Sequence, residues 1–289
     1  NQHQQSAAYE AAAQYWRNRF AGPIPRLDLA TDAPRPQIQR YEGQSLDRSL
    51  GYSLLQALQA LGKNQQATLF AVLSSTVFAF FHRLTGQSDL ILGTAVAGRQ
   101  HFQLQKQIGF YVNTLALRAQ LNPGLTFSQL LRQVQADLLE GHEHQDYPFD
   151  QLVESLNLPP DLSRSPIFDH WFQLMEKTSE AQETELLDGL QLEDITPASD
   201  STKFELAFYF TETERGLDLK LEGNRHLFQR ATLERLADYF AHFLHQLVER
   251  PEDELCQLSL LNEVARGDLL QLMSGPRVEL PDATVIQQW

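Results

Sequence analysis

The feature that most constrains the fold is residues 67–86, ATLFAVLSSTVFAFFHRLTG. Read as a helix, Leu69, Val72, Leu73, Thr76, Val77, Phe80 and Phe81 cover nearly its whole circumference. A helix that is apolar almost all round is a buried one. The chain must therefore supply enough other elements to wrap it. With 289 residues and a 42% hydrophobic content it has the material for one large domain or two modest ones.

The wrapping elements can be read from their periods. Residues 6–20, 51–62 and 231–250 have helical spacing, the last with Leu233, Leu236, Ala237, Phe240, Phe243, Leu244 and Leu247 on one face. Thr126 and Gln129 have the spacing of a capping box at the start of another helix, with Phe127, Leu130, Leu131, Val134 and Leu138 as its stripe. Gly141 is placed to end that helix. Pro148 suits the first turn of the next helix.

Residues 43–50, 90–98, 109–121 and 165–175 read as strands. FELAFYF and LDLKLEG alternate around TETERG as a hairpin with one buried face. The prolines at 23, 25, 34 and 36 mark an extended connector. After Pro251 the pattern loosens to one short helix in a linker. The expected class is α+β, a mixed β-sheet packed with helices.

Charge narrows the partners. The net charge of −14 argues against nucleic acid and against an anionic membrane surface, since both need clustered Lys and Arg. No apolar run reaches transmembrane length. The single cysteine, Cys256, permits no internal disulfide and fits a cytoplasmic setting. The first residue is not methionine, the expectation for a piece of a longer protein.

Reactive motifs are few: there is no GxGxxG, P-loop, CxxC or HExxH. His142 and Asp146 have the i, i+4 spacing of a general base and its orienting carboxylate, but such matches are common by chance. His142 and His144 with Glu143 make a poor metal set, because adjacent side chains on a helix diverge. His242 and His245 read as helix-edge residues. In GTAVAGRQ, glycines at a strand end admit a close approach of backbone or ligand. Arg99 there is either an anion partner or a solvated turn residue.

Seven stretches occur in a telling order: AQYWRNRFAG, LATDAPRPQ, ATLFAVLSSTVFAFFHRLTGQSDLILGTAVAGR, IGFYVNTLALR, HEHQDYPFDQLVESL, SRSPIFDHWFQ and LFQRATLERLADYF. Together they resemble the C-terminal lobe of a nonribosomal peptide synthetase condensation domain over about residues 8–262. The resemblance implies a chloramphenicol-acetyltransferase-like lobe at 1–257 and, at 258–289, a linker toward an adenylation domain.

It further implies amide formation between thioesters carried on the phosphopantetheine arms of upstream and downstream carrier proteins, with no cofactor or metal bound directly. The family's reactive signature is a pair of histidines, three variable residues, then Asp-Gly. It belongs to the N-terminal lobe and is absent here, so this chain alone is expected to be inactive, with no catalytic residue of its own.

By position in the family, Thr94, Ala97, Gly98 and Arg99 are the expected tunnel residues, and a segment between 175 and 204 is expected to cross to the other lobe. Gly109, Asn113, Tyr147, Pro148, Phe149 and Arg164 are expected to hold the fold, which makes His142 and Asp146 part of a structural motif. The sequence departs from the family pattern at Ala95 and Val96, where proline often stands nearby, at Tyr111 for Phe and at Ser165 for Asn. Non-catalytic recruitment platforms and heterocyclisation or epimerisation domains share the architecture.

Overall fold

The computed structural model describes residues 7–99, 102–176 and 200–274. Its helices are α1 (Ala7–Arg19), α2 (Tyr52–Asn64), α3 (Leu69–Thr85), α4 (Phe127–Glu143), α5 (Phe149–Leu156), α6 (Arg230–Glu249) and α7 (Glu263–Met273). Its strands are β1 (Gly43–Gly51), β2 (Asp89–Val96), β3 (Asn113–Gln120), β4 (His170–Glu176), β5 (Leu206–Thr213) and β6 (Gly216–Asn224). They form one mixed sheet in the order β1-β6-β5-β4-β2-β3. β4 runs parallel to both β5 and β2, and the other neighbours are antiparallel.

Helix α3 lies against this sheet with residues 71–81 all buried. Phe80 meets Phe240 of α6 edge-on at 5.1 Å, and Phe81 meets Phe208 of β5 at 5.7 Å. Each such side chain contributes about 1.5–3 kcal/mol on burial. α3 is framed by its caps: Thr68 Oγ1 accepts from Ala71 N, and Gly86 closes the helix in the left-handed region at φ 70. The capping box of Thr126 and Gln129 opens α4 with both reciprocal bonds present. The hairpin of β5 and β6 closes through Thr213 and Gly216.

Three sequence expectations shift. The strand expected from residue 165 begins only at His170. Asp169 Oδ1 accepts from Ser165 N, and Asp169 Oδ2 from Arg164 Nη1 at 2.8 Å, which folds residues 164–169 into a loop. Ile167 and Phe168 are buried there without being strand, so apolar character alone misleads. The strand expected from residue 109 begins at Asn113. Gly141 does not end α4, which continues to Glu143; Gly141 sits instead where Trp16 of α1 packs. Trp16 Nε1 then donates to His144 O at 2.9 Å, tying α1 to the turn after α4.

Candidate functional site

Strand β2 brings the candidate residues to one end of the sheet. Its residues alternate between two faces. Thr94 is only 1% exposed, with no hydrogen-bond partner for Oγ1 among the described residues. Gly93 lies beneath the Phe168 ring, which an added Cβ would overlap.

Beyond the strand, Ala97, Gly98 and Arg99 line a cavity of about 540 Å³ together with Gln135, His142 and Gln173. Thr94 does not reach it. Gly98 has φ 62, and a Cβ there would collide with the carbonyl oxygen of Tyr111, so glycine is required twice over.

Arg99 is engaged by its own neighbourhood. It donates to the carbonyl oxygens of Leu104, of Gln107 at 2.7 Å and of Gly109 at 3.1 Å. Its guanidinium also lies over the Tyr111 ring at 4.5 Å. Arg99 thus clasps a loop that holds Phe102, Ile108 and Phe110 out in solvent, at 76%, 104% and 90% exposure. Gly109 belongs to that loop and feeds one of the carbonyls.

Asn113 is a hub that holds the turn carrying Gln145, one of the cavity's lining residues. Its Nδ2 donates to Gln145 O and Tyr147 O, both at 2.8 Å. Its Oδ1 accepts from Thr114 N at 2.9 Å and Phe149 N at 3.2 Å. Those four bonds use the full capacity of the carboxamide. Pro148 is the N-cap of α5 and offers no side-chain cap, one position before the expected first turn, so Asn113 caps the helix from a neighbouring strand. Tyr147 is buried, and Phe149 rests against Phe168 at 5.5 Å.

His142 Nδ1 meets Gln145 Nε2 at 3.0 Å, and the same Nε2 donates to His142 O at 2.9 Å. That second bond fixes the amide orientation, so Nδ1 accepts.

A buried ion cluster supports β4 from below. Arg164 pairs with Asp169, and Arg35 forms a two-bond ion pair with Glu205. Burial pushes the Glu205 carboxyl up, while Arg35 opposes that shift. Next to this cluster His170 is fully buried, and desolvation pulls its pKa down to about 4. Among the described residues no group of three or more His, Cys, Asp or Glu is arranged to hold a metal. No single helix among them is long and apolar enough to cross a membrane. The segment expected to cross to a second lobe falls largely on residues 177–199, outside the described residues.

A family model described as Condensation domain matches residues 1–270. The chain belongs to the condensation-domain family. It is 34% identical over 285 residues to Surfactin synthase subunit 1 of Bacillus subtilis (strain 168), covering 98% of this chain and 8% of that protein. It is 36% identical over 271 residues to Gramicidin S synthase 2 of Brevibacillus brevis, covering 94% of this chain and 6% of that one. This condensation-family chain thus spans less than a tenth of either relative.

A solved four-domain nonribosomal peptide synthetase, in its holo form with AMP and glycine, superposes with a TM-score of 0.81 at 24% identity, over 92% of this chain and 21% of that one. The X-domain from teicoplanin biosynthesis superposes with a TM-score of 0.78 at 23% identity, over 90% of this chain and 59% of that one. At such identities the likeness speaks to the fold, the chloramphenicol-acetyltransferase-like one of condensation domains.

Gln135 and Gln173 were not singled out from sequence, and Gln145 stood there only as part of the HQDYPF stretch. They come from three separate segments and meet only once the sheet and α4 are assembled.

Proposed function

We propose that this chain is the C-terminal lobe of a nonribosomal peptide synthetase condensation domain. Its cavity forms one wall of the channel in which an acceptor amine attacks a donor thioester. The observation that carries the reading is the 540 Å³ cavity at the end of β2, lined by Ala97, Gly98 and Arg99. The 59% coverage of a solved X-domain supports a chain shorter than a whole two-lobed domain.

The reaction needs little from this lobe beyond position. A thioester is already activated, and holding two reactants as a near-attack pair supplies about 7–11 kcal/mol. The lobe lacks the double-histidine signature, so on this reading a partner lobe supplies the reactive histidine and this chain alone forms no amide. The arms entering the channel are the phosphopantetheine groups of upstream and downstream carrier proteins, in the cytoplasm.

Residues 258–289 are the proposed linker toward an adenylation domain. Its start stays attached to the lobe: Leu258 is buried and Ser259 N donates to Gln246 Oε1. Within the lobe we assign Asn113, Tyr147, Pro148, Phe149, Arg164 and Gly109 to holding the walls.

A recruitment platform is the second reading. An X-domain solved in complex with OxyB superposes on this chain with a TM-score of 0.80. Co-expression with the upstream segment of the parent synthetase separates the two. The condensation reading predicts a two-lobe complex that joins carrier-bound thioesters into an amide. A stable complex that forms no amide would favour recruitment.

A further inference from the structure

β2 and β4 run parallel but are paired at one position, Gly93 with Trp171. Beyond it the two strands part. Alternate residues of a strand turn their main-chain groups to the same neighbour, so Ala95 aims its N–H where Gly93 does, toward β4. Its acceptor is a side chain: Oε1 of Gln173, at 3.0 Å. The far end of that carboxamide is weakly held, with Nε2 reaching Leu174 O at 3.5 Å.

The cavity opens at this seam, and both Ala95 and Gln173 line it. Among the described residues that line it there is no carboxylate and no lysine. The one permanent cation among these described residues, Arg99, is engaged by three carbonyls and a ring. Leu138, Leu139 and Phe70 give it apolar surface beside the amides of Gln135 and Gln145. Such a lining disfavours a phosphate or a zwitterion, which would lose hydration without gaining a counter-charge. It suits a neutral chain that alternates methylenes with amides.

We propose that the parting of β2 from β4 is a slot for a neutral, extended, amide-bearing chain, and that Gln173 is its displaceable plug. The ligand enters as a short added strand, and one of its carbonyls accepts the Ala95 N–H in place of Gln173 Oε1. This rests on the reading of the cavity as part of the thioester channel, and it names the contact made there.

Displacement makes an unusual prediction. The bond that Gln173 makes in the empty site competes with the ligand. Removing it by Gln173→Ala therefore tightens binding, by about 3- to 10-fold for one neutral hydrogen bond. A Gln173 that merely braced the wall would give weaker or unchanged binding.

The test is an NMR titration of the whole chain with pantetheine, a neutral diamide. Inorganic phosphate and glycine serve as charged controls. The Ala95 amide and the Gln173 side-chain NH₂ should both shift with pantetheine and with neither control, and Q173A should bind more tightly. Weaker or unchanged binding by a folded Q173A, a silent Ala95 amide, or an equal response to phosphate or glycine overturns the proposal. If Q173A fails to fold, Gln173→Ser, too short to reach Ala95, is read by the same criterion. Amide formation by the joined lobes is measured separately. Intact amide formation with a silent seam removes the slot alone, and a responding seam without amide formation removes the condensation reading alone.

Discussion

Replacing Asn113 by alanine tests how the turn that carries Gln145 to the cavity is held. The change deletes four hydrogen bonds, to Gln145 O, Tyr147 O, Thr114 N and Phe149 N. Neutral hydrogen bonds contribute about 0.5–1.5 kcal/mol each. The site is part-buried, so water recovers some of that, and about 3 kcal/mol is expected. Asn113→Asp is the sharper variant. It keeps Oδ1 for the two N–H groups but turns an acceptor toward two carbonyls. It should cost at least as much as alanine at neutral pH and recover as acid protonates the new carboxyl.

Urea unfolding measures both costs. Hydrogen exchange should show lost protection at the Phe149 amide before the sheet is affected. An alanine cost under about 1 kcal/mol, or an aspartate milder than alanine, would refute the claim that this one carboxamide caps α5 and fixes the preceding turn.

Burial of neutral His170 makes stability depend on pH. Its folded pKa of about 4 lies below the ordinary histidine value of 6.5, so between those values the unfolded chain binds more protons. Stability is full above the upper value and is lost as pH falls toward the lower, by about 3 kcal/mol in all. Glu205 and Asp137, both raised by burial, act in the opposite sense, so the comparison is wild type against His170→Gln. The variant's unfolding free energy should lose its part of this slope, and equal slopes would contradict the assignment. Arg99→Met should release the loop that carries Phe110, seen as faster proteolytic cleavage among residues 102–112 with little change in global stability. Unchanged cleavage would mean the loop holds itself.

The readable parts of this fold are those whose signal is local. α3 shows its burial in its own circumference, and Thr126 with Gln129 is a complete start signal within four positions. Where polar contacts that no periodicity records decide, the sequence misleads. Ser165 to Asp169 looks like strand until Asp169 is seen to bind the Ser165 amide and Arg164. Residues 109–112 look like strand because they are apolar, yet they sit on a loop clasped by Arg99.

The same distinction divides the site. Gly98 is legible as a strand-end glycine, but the reason it cannot be another residue is Tyr111, which only folding brings near. The parallel neighbours β2, β4 and β5 are far apart in the chain, so neither the seam nor the role of Gln173 has any local trace. Arg99 read equally well as an anion partner or as a solvated turn residue, and the three carbonyls it binds have no signal in the sequence.

The central claim is that this chain shapes a channel whose reactive histidine lies on another lobe. The most direct measurement incubates the chain by itself with a donor thioester and an aminoacyl thioester on their carrier proteins, and assays for the joined product by mass spectrometry. The account predicts no amide above the uncatalysed background. Amide formed at a rate that depends on the concentration of this chain alone would contradict it.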